Sequence, residues 1–324
     1  MLKVFITRHI PEAGLKLLRK NRSLKIDQYE KNRIIPRRIL LRRVQGVDII
    51  LSILTDHIDA TVMNAAGPQL KMIANYAVGF DNIDLAEAKK RGIIVTNTPG
   101  PEISEAVAEH VIALMFALAH RVVEVDTFAR KNKYKGWGPE MLLGVDIYGS
   151  TLGIVGGGAI GSALAKRLRD GFNLKILYHD VKKNIKLEAE TGAIFCPLAK
   201  LLKQADFVSL HVPLLPSTHH LIGAKELKLM KPSAFLINTA RGPVVDEAAL
   251  IHALQNNLIA GAAVDVYEHE PHIPRALRKL PNVVITPHTA SATHGARNAM
   301  SIAAATNILA FAAGKTPPNA LTQR

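Results

Sequence analysis

An arginine, a glutamate and a histidine each follow an apolar run in the second half of the chain. Arg241 follows FLINTA, Glu270 follows AAVDV within the string YEHEP, and His288 follows VVITP. Such runs read as buried strands. In an open α/β sheet, ligands bind beyond the carboxyl ends of the strands. An imidazole there can deliver a proton to a forming alkoxide near neutral pH. A carboxylate beside it fixes which ring nitrogen carries hydrogen. A guanidinium can hold a carboxylate or polarise a carbonyl. The set would suit reduction of a carbonyl by a neighbouring hydride donor. Taken singly, each is an ordinary polar residue at the start of a loop, and spacing alone does not prove convergence.

The element that would position such a donor is GIVGGGAIG, residues 153–161. Gly156, Gly158 and Gly161 stand in G-x-G-x-x-G spacing, with Ala159 and Ile160 between the last two. TLGIV leads in as a strand and SALAKRL leads out as a helix, the context a dinucleotide loop requires. Gly156 permits the tight turn, Gly158 lets backbone approach a pyrophosphate, and Gly161 lets the helix pack on the strand. The helix N-terminus offers unpaired N–H groups to the phosphates. A plain βα turn would serve the glycines equally well, but the next strand, LKILYHD, ends in Asp180, 19 residues past Gly161. An acidic residue there accepts hydrogen bonds from ribose hydroxyls and repels a 2′-phosphate, so NAD is the expected cofactor. Lys182 and Lys183 follow closely and would accommodate a 2′-phosphate, which leaves NADP open.

These residues must be carried by elements. The 324-residue length allows two domains. Short strand patterns (KVFIT, DIILSI, KMIANY, IIVTN) alternate with helical ones (PEAGLKLLRK, DATVMNAAG, DLAEAKKRG) over the first hundred residues. After Pro99-Gly100-Pro101 comes a long apolar-periodic helix, ISEAVAEHVIALMFALAHRV, then a Gly-rich polar stretch. Six further strands follow the glycine loop: LKILYHD, AIFC, DFVSLHV, AFLINTA, AGAAVDV and NVVITP. Alternation of this kind implies parallel sheets with right-handed crossovers. The expected fold is α/β with two doubly wound domains: a cofactor domain over 99–289, inserted in a substrate domain made of 1–98 and 290–324. The last helix, closed by Gly314, would return to the first unit.

Composition bounds the rest. The single cysteine, Cys196, allows no internal disulfide and points to a reducing, cytoplasmic setting. Its run AIFCPL reads as a buried structural thiol. MLKVFITRHI reads as a strand rather than a signal peptide, and no charge-free apolar stretch is long enough to span a membrane. The formal charge is +14, with arginines clustered in RRILLRRV at 37–44. Their helical spacing describes a solvated face, without the aromatic interleaving of a nucleic-acid surface. Neither nucleic acid nor membrane is expected as a partner. His219-His220 lacks further metal ligands at suitable spacing, so no metal is expected. His110 reads as a hydrogen-bonded packing residue and Trp137 as an interface or packing anchor.

The chain resembles the D-isomer-specific 2-hydroxyacid dehydrogenases, closest to the glyoxylate/hydroxypyruvate reductase branch. The resemblance spans almost the whole chain. It is carried by NYAVGFDNIDL, RGIIVTNTPG, SEAVAEHVIAL, GWGPEMLLGVDIYGSTLGIVGGGAIG, HVPLLPSTHHLIGAKELKLMKPSAFLINTARG, DVYEHEP and TPHTASAT. It implies that Arg241, Glu270 and His288 are the catalytic set, with His288 as proton donor. It implies that Val78 and Gly79 bind the substrate carboxylate through backbone N–H groups. Asp265 would hold the nicotinamide carboxamide, and His211, Val212 and Pro213 would lie beside the adenosine. The substrate would be a small 2-keto acid such as glyoxylate or hydroxypyruvate. A homodimer is implied, with the 120–148 region reaching to the partner. Ala159 departs from the Arg or Lys common there, which removes one pyrophosphate contact, and Leu215 replaces a common threonine. The stretch from Leu51 to Thr55 is the candidate side-chain pocket. Two other readings share the same residues: an NAD(H)-sensing binding protein of corepressor type, and a dehydrogenase of another small anion such as formate or phosphite.

Overall fold

The computed structural model describes residues 1–321. They form two compact units, Met1–Ile103 with the chain from Ala292 onward, and Ser104–Ser291. The end of the expected 290–324 segment, residues 322–324, lies outside the described residues. Both units are α/β with wholly parallel sheets, the architecture that the alternating patterns predict.

The first unit holds β1 (Leu2–Ile6), β2 (Leu24–Gln28), β3 (Ile49–Ile53), β4 (Met72–Tyr76) and β5 (Ile94–Thr96). Their order is β2-β1-β3-β4-β5, that of flavodoxin-like sheets. Every residue of β4 is buried, because helices cover both faces of a parallel sheet. Short helices begin at acidic caps: Asp59 accepts from the Val62 N–H and Asp84 from the Glu87 N–H. The helix His294–Ala312 belongs to this unit and crosses the helix Glu12–Lys20 at Gly14. The Gly14 N–H donates to Ser301 Oγ at 3.0 Å, and a Cβ on Gly14 would overlap the Ser301 backbone. Only glycine permits that approach.

The strand β2 was not among the expected ones. It is an edge strand whose Lys25 and Asp27 are exposed. Charges protect such an edge from mispairing, and they also dilute the apolar signal. RRILLRRV forms the helix Arg37–Arg43, which buries Leu40 and turns Arg38 and Arg42 to solvent. Arg43 pairs with Asp27 and Arg37 with Asp59. This is the solvated face that its spacing describes.

The second unit holds β6 (Thr151–Val155), β7 (Lys175–His179), β8 (Ile194–Phe195), β9 (Phe207–Leu210), β10 (Phe235–Asn238), β11 (Gly261–Val264) and β12 (Val283–Ile285). The order is β12-β11-β10-β9-β6-β7-β8. Strand order reverses between β6 and β9, which creates the switch point where doubly wound sheets take dinucleotides. One core layer includes Val155, Leu210 and Val264; the other includes Ile154, Tyr178 and Ile237. Cys196 is buried, and burial pushes its thiol pKa up. The helix Pro101–Ala119 matches the long apolar pattern. A further helix, Val122–Arg130, was not expected, and none of its residues is buried. Among the described residues, no single helix is long and apolar enough to cross a membrane.

Candidate active site

The glycine loop joins β6 to the helix Ala159–Phe172. Gly156 has φ +103°, and a Cβ on it would sit 2.8 Å from the His211 carbonyl carbon and 2.9 Å from the Val212 nitrogen. The loop therefore lies against the backbone that leaves β9. Gly161 faces the Gly156 carbonyl and the Ile154 side chain, where a Cβ has no room. Gly158 differs: it is the helix N-cap, and a Cβ on it would meet nothing within 4 Å. The first-turn N–H groups, including those of Ala159 and Ile160, have no intrahelical acceptor, and no side chain caps them. Open space over uncapped N–H groups at the switch point is a cradle for a pyrophosphate, so these residues fit a dinucleotide.

Asp180 follows β7. Its Oδ2 accepts the Gly157 N–H at 2.8 Å and its Oδ1 accepts the Val181 N–H at 2.7 Å. Asn184 Nδ2 donates to the Gly157 carbonyl at 2.7 Å. Asp180 and Asn184 thus hold both backbone groups of one loop residue, Gly157. Each carboxylate oxygen retains a lone pair for a ribose hydroxyl. Asn184 was missed by sequence reasoning; it also caps the helix Ile185–Thr191, and that capping role is its only signal in the sequence. Lys182 and Lys183 are exposed beside it. His211 shares a hydrogen bond with Ser209 Oγ at 2.9 Å, and burial of its ring lowers its pKa to about 4. It is neutral at physiological pH. Val212 is half-buried and Pro213 exposed on the same segment.

Arg241, Glu270 and His288 follow β10, β11 and β12, three neighbouring strands of one sheet. His288 Nδ1 and Glu270 Oε2 are 2.8 Å apart. A carboxylate can only accept, so Nδ1 carries hydrogen and Nε2 is the atom left for a substrate. The second Glu270 oxygen accepts the Tyr267 N–H at 3.2 Å, which fixes the carboxylate in turn. Arg241 precedes Gly242, and a Cβ on Gly242 would overlap the Tyr267–Glu268 backbone. The arginine segment is thereby pressed onto the loop that carries Glu270. Asn238 Nδ2 holds the Arg241 carbonyl at 2.9 Å.

His288 itself sits at φ +56°, a left-handed conformation unfavourable for a side chain of its size. Asp265 secures it there. The Asp265 carbonyl accepts the His288 N–H at 2.8 Å. Its carboxylate, wholly buried, accepts the Thr289 and Ala290 N–H groups at 2.8 Å each and Thr286 Oγ1 at 2.6 Å. With the threonine proton committed to Asp265, His110 Nε2 donates to Thr286 Oγ1 at 3.2 Å. Here Asp265 anchors the turn that presents His288. Thr286 was missed, although it stands two residues before His288 in the same string.

On the other unit, Val78 is exposed and Gly79 half-buried in the loop after β4. Within the expected pocket stretch, Leu51 and Ser52 are fully buried in β3, which leaves only Ile53 to Thr55 with accessible surface. His219 and His220 are exposed and stacked 4.1 Å apart, and His220 pairs with Glu268. Trp137 is 79% exposed and packs no core.

A nucleotide switch point with an imidazole–carboxylate pair at its far strands defines a dinucleotide-dependent oxidoreductase. Comparison with known proteins narrows the class. The model of the D-isomer specific 2-hydroxyacid dehydrogenase NAD binding domain matches residues 112–290. The glyoxylate reductase of Thermococcus litoralis is 51% identical over 321 residues, covering 98% of this chain and 96% of that protein. The glyoxylate reductase of Korarchaeum cryptofilum is 48% identical over 323 residues, covering 99% and 96%. A solved structure from Thermus thermophilus superposes with TM-score 0.91 at 43% identity, covering 99% of this chain and all (100%) of that one. An NADPH-dependent glyoxylate/hydroxypyruvate reductase from Sinorhizobium meliloti, in complex with NADP and malonate, superposes with TM-score 0.85 at 31% identity, covering 99% and 96%. The chain belongs to the D-isomer specific 2-hydroxyacid dehydrogenase family, and it is an oxidoreductase that uses a nicotinamide cofactor.

Proposed function

We propose that the protein reduces glyoxylate, and hydroxypyruvate with it, to the corresponding 2-hydroxy acid. The observation that carries this reading is the His288 Nδ1–Glu270 Oε2 contact of 2.8 Å on a turn anchored by Asp265, in a chain about half identical to glyoxylate reductases. The glycine loop at Gly156, Gly158 and Gly161, the helix start at Ala159 and Ile160, Asp180 and the His211–Pro213 segment would hold the cofactor. When bound, that cofactor supplies a hydride to the carbonyl carbon. Arg241 binds the substrate carboxylate and polarises its carbonyl. The Val78 and Gly79 N–H groups bind the carboxylate as well. His288 delivers a proton from Nε2 to the carbonyl oxygen as charge develops there. Glu270 keeps the ring in the tautomer that makes this possible and balances the charged ring.

The acidic Asp180 favours NAD over NADP, because a 2′-phosphate would meet a carboxylate. The chain also assembles as a homodimer in this reading. Val122, Val123, Tyr134, Trp137, Leu143, Val145 and Tyr148 are all at least 44% exposed within 27 consecutive residues. So dense an apolar display marks a protein interface. The single buried thiol fits a reducing, cytoplasmic location. The test is spectrophotometric: oxidation of NADH and NADPH is followed with a panel of 2-keto acids. Glyoxylate is expected to give the highest kcat/KM, with NADH preferred. Absence of turnover on every keto acid, with NADH binding intact, would overturn the enzymatic reading; preference for NADPH would overturn the role given to Asp180.

A further inference from the structure

We infer that Asn97 is a positioning residue that aims the Gly79 N–H group at the substrate carboxylate, beside a Val78 N–H set by the backbone of Thr98. The inference rests on the reading above that those N–H groups bind it. In a trans peptide the C=O of one residue lies opposite the N–H of the next, and the plane is rigid. Fixing a carbonyl therefore fixes the following N–H. The Ala77 carbonyl accepts the Thr98 N–H at 2.9 Å, which sets the Val78 N–H. The Val78 carbonyl accepts Asn97 Nδ2 at 2.7 Å, which sets the Gly79 N–H. Two successive carbonyls are thus drawn to the same 97–98 segment. The two N–H groups are left on the side away from it, as in the anion-binding concavities that successive amides make.

The Gly79 carbonyl, which ends this stretch, accepts Asn75 Nδ2 at 3.0 Å. Asn75 is itself wholly buried and held by Ser52 Oγ at 3.0 Å and by Asn82. Asn97 is held from behind. Asn307, fully buried in the helix His294–Ala312, donates to the Asn97 carbonyl at 3.2 Å, and its Oδ1 accepts the Asn319 N–H at 3.1 Å. The C-terminal segment returns to the first unit and buttresses the residue that orients the loop. A chain needing only a packed sheet would fill position 97 with an apolar side chain; an amide aimed at one carbonyl does a more specific job.

The test uses the full-length protein carrying Asn97→Asp, which keeps the side chain's size and removes its donor. KM for glyoxylate is expected to rise on the order of tenfold or more, since small misplacements of binding groups are costly. NADH affinity should stay at the parent value, and amide hydrogen exchange over residues 77–80 should quicken in the free protein. Asn97→Ser, smaller and neutral, gives the same reading if the aspartate variant does not fold. Gly79→Pro deletes one N–H and tests the underlying reading separately. A raised KM in both Asn97→Asp and Gly79→Pro supports the inference. A raised KM in Gly79→Pro with KM and exchange unchanged in Asn97→Asp overturns the inference alone. A KM unmoved by Gly79→Pro overturns the reading beneath it, and the inference with it.

Discussion

Gly158→Ala separates what the fold requires from what the cofactor requires. A Cβ at Gly158 enters open space, and the residue's φ of −74° suits any side chain. Reduced freedom of the unfolded chain stabilises the variant by roughly 0.4–1 kcal/mol. Alanine is a poorer N-cap than glycine by a similar amount. The two offset, so the melting temperature should move by no more than about 2 °C. The methyl group stands where a pyrophosphate must approach the backbone. Loss of one charge-assisted hydrogen bond costs roughly 1.5–3 kcal/mol, or about a 10- to 100-fold rise in the NADH Kd. Gly156→Ala is the contrast: at φ +103°, with His211 backbone 2.8 Å from its Cβ, it should lose about 1–3 kcal/mol of stability. Fluorescence titration with NADH and thermal unfolding of both variants check this. An unchanged Kd in Gly158→Ala, or a melting temperature that falls as in Gly156→Ala, would refute the assignment of that space to the cofactor.

Three more outcomes are expected. Asp265→Asn turns an amide NH₂ toward backbone donors that now share a carboxylate; kcat should fall about 100-fold with the loosened His288 turn, and hydrogen exchange over residues 286–291 should rise. His211 has its pKa lowered from 6.5 to about 4 by burial, so its neutral form is favoured in the folded state. Its contribution to stability is complete above pH 6.5 and is lost as pH falls toward 4, by up to about 3 kcal/mol; denaturant unfolding at pH 7 and pH 4.5 should show this loss in the parent and a smaller one in His211→Gln. Gly14→Ala forces apart the helices that meet at Ser301 and should cost about 1–3 kcal/mol. Calorimetry reads that loss, while NADH affinity, a property of the other unit, should be unchanged.

The parts legible in the sequence are those where one residue type answers one physical demand. The G-x-G-x-x-G spacing announced a strand–turn–helix because only glycine fits against the His211 backbone and the Gly156 carbonyl. Apolar runs announced the buried strands, and the polar residues that end them announced a ligand edge. Less legible were elements whose role depends on distant partners. The β2 strand reads as charged because it is an edge, and the apolar residues of Val122–Arg130 enter no core within the chain. Asp265 carried a family role in the sequence, yet its hold on the His288 turn follows from three hydrogen bonds to residues more than twenty positions away. Asn97 gave no signal: its work lies in a hydrogen bond across 19 residues and in support from Asn307, 210 residues on.

The central claim is that His288, held by Glu270, donates the proton in reduction of a 2-keto acid. Its most direct test is kcat for glyoxylate in His288→Gln, with NADH affinity measured on the same preparation. The account predicts a loss of about 100- to 10,000-fold in kcat, with the NADH Kd within about threefold of the parent (less than 1 kcal/mol). A kcat near the parent value would contradict it.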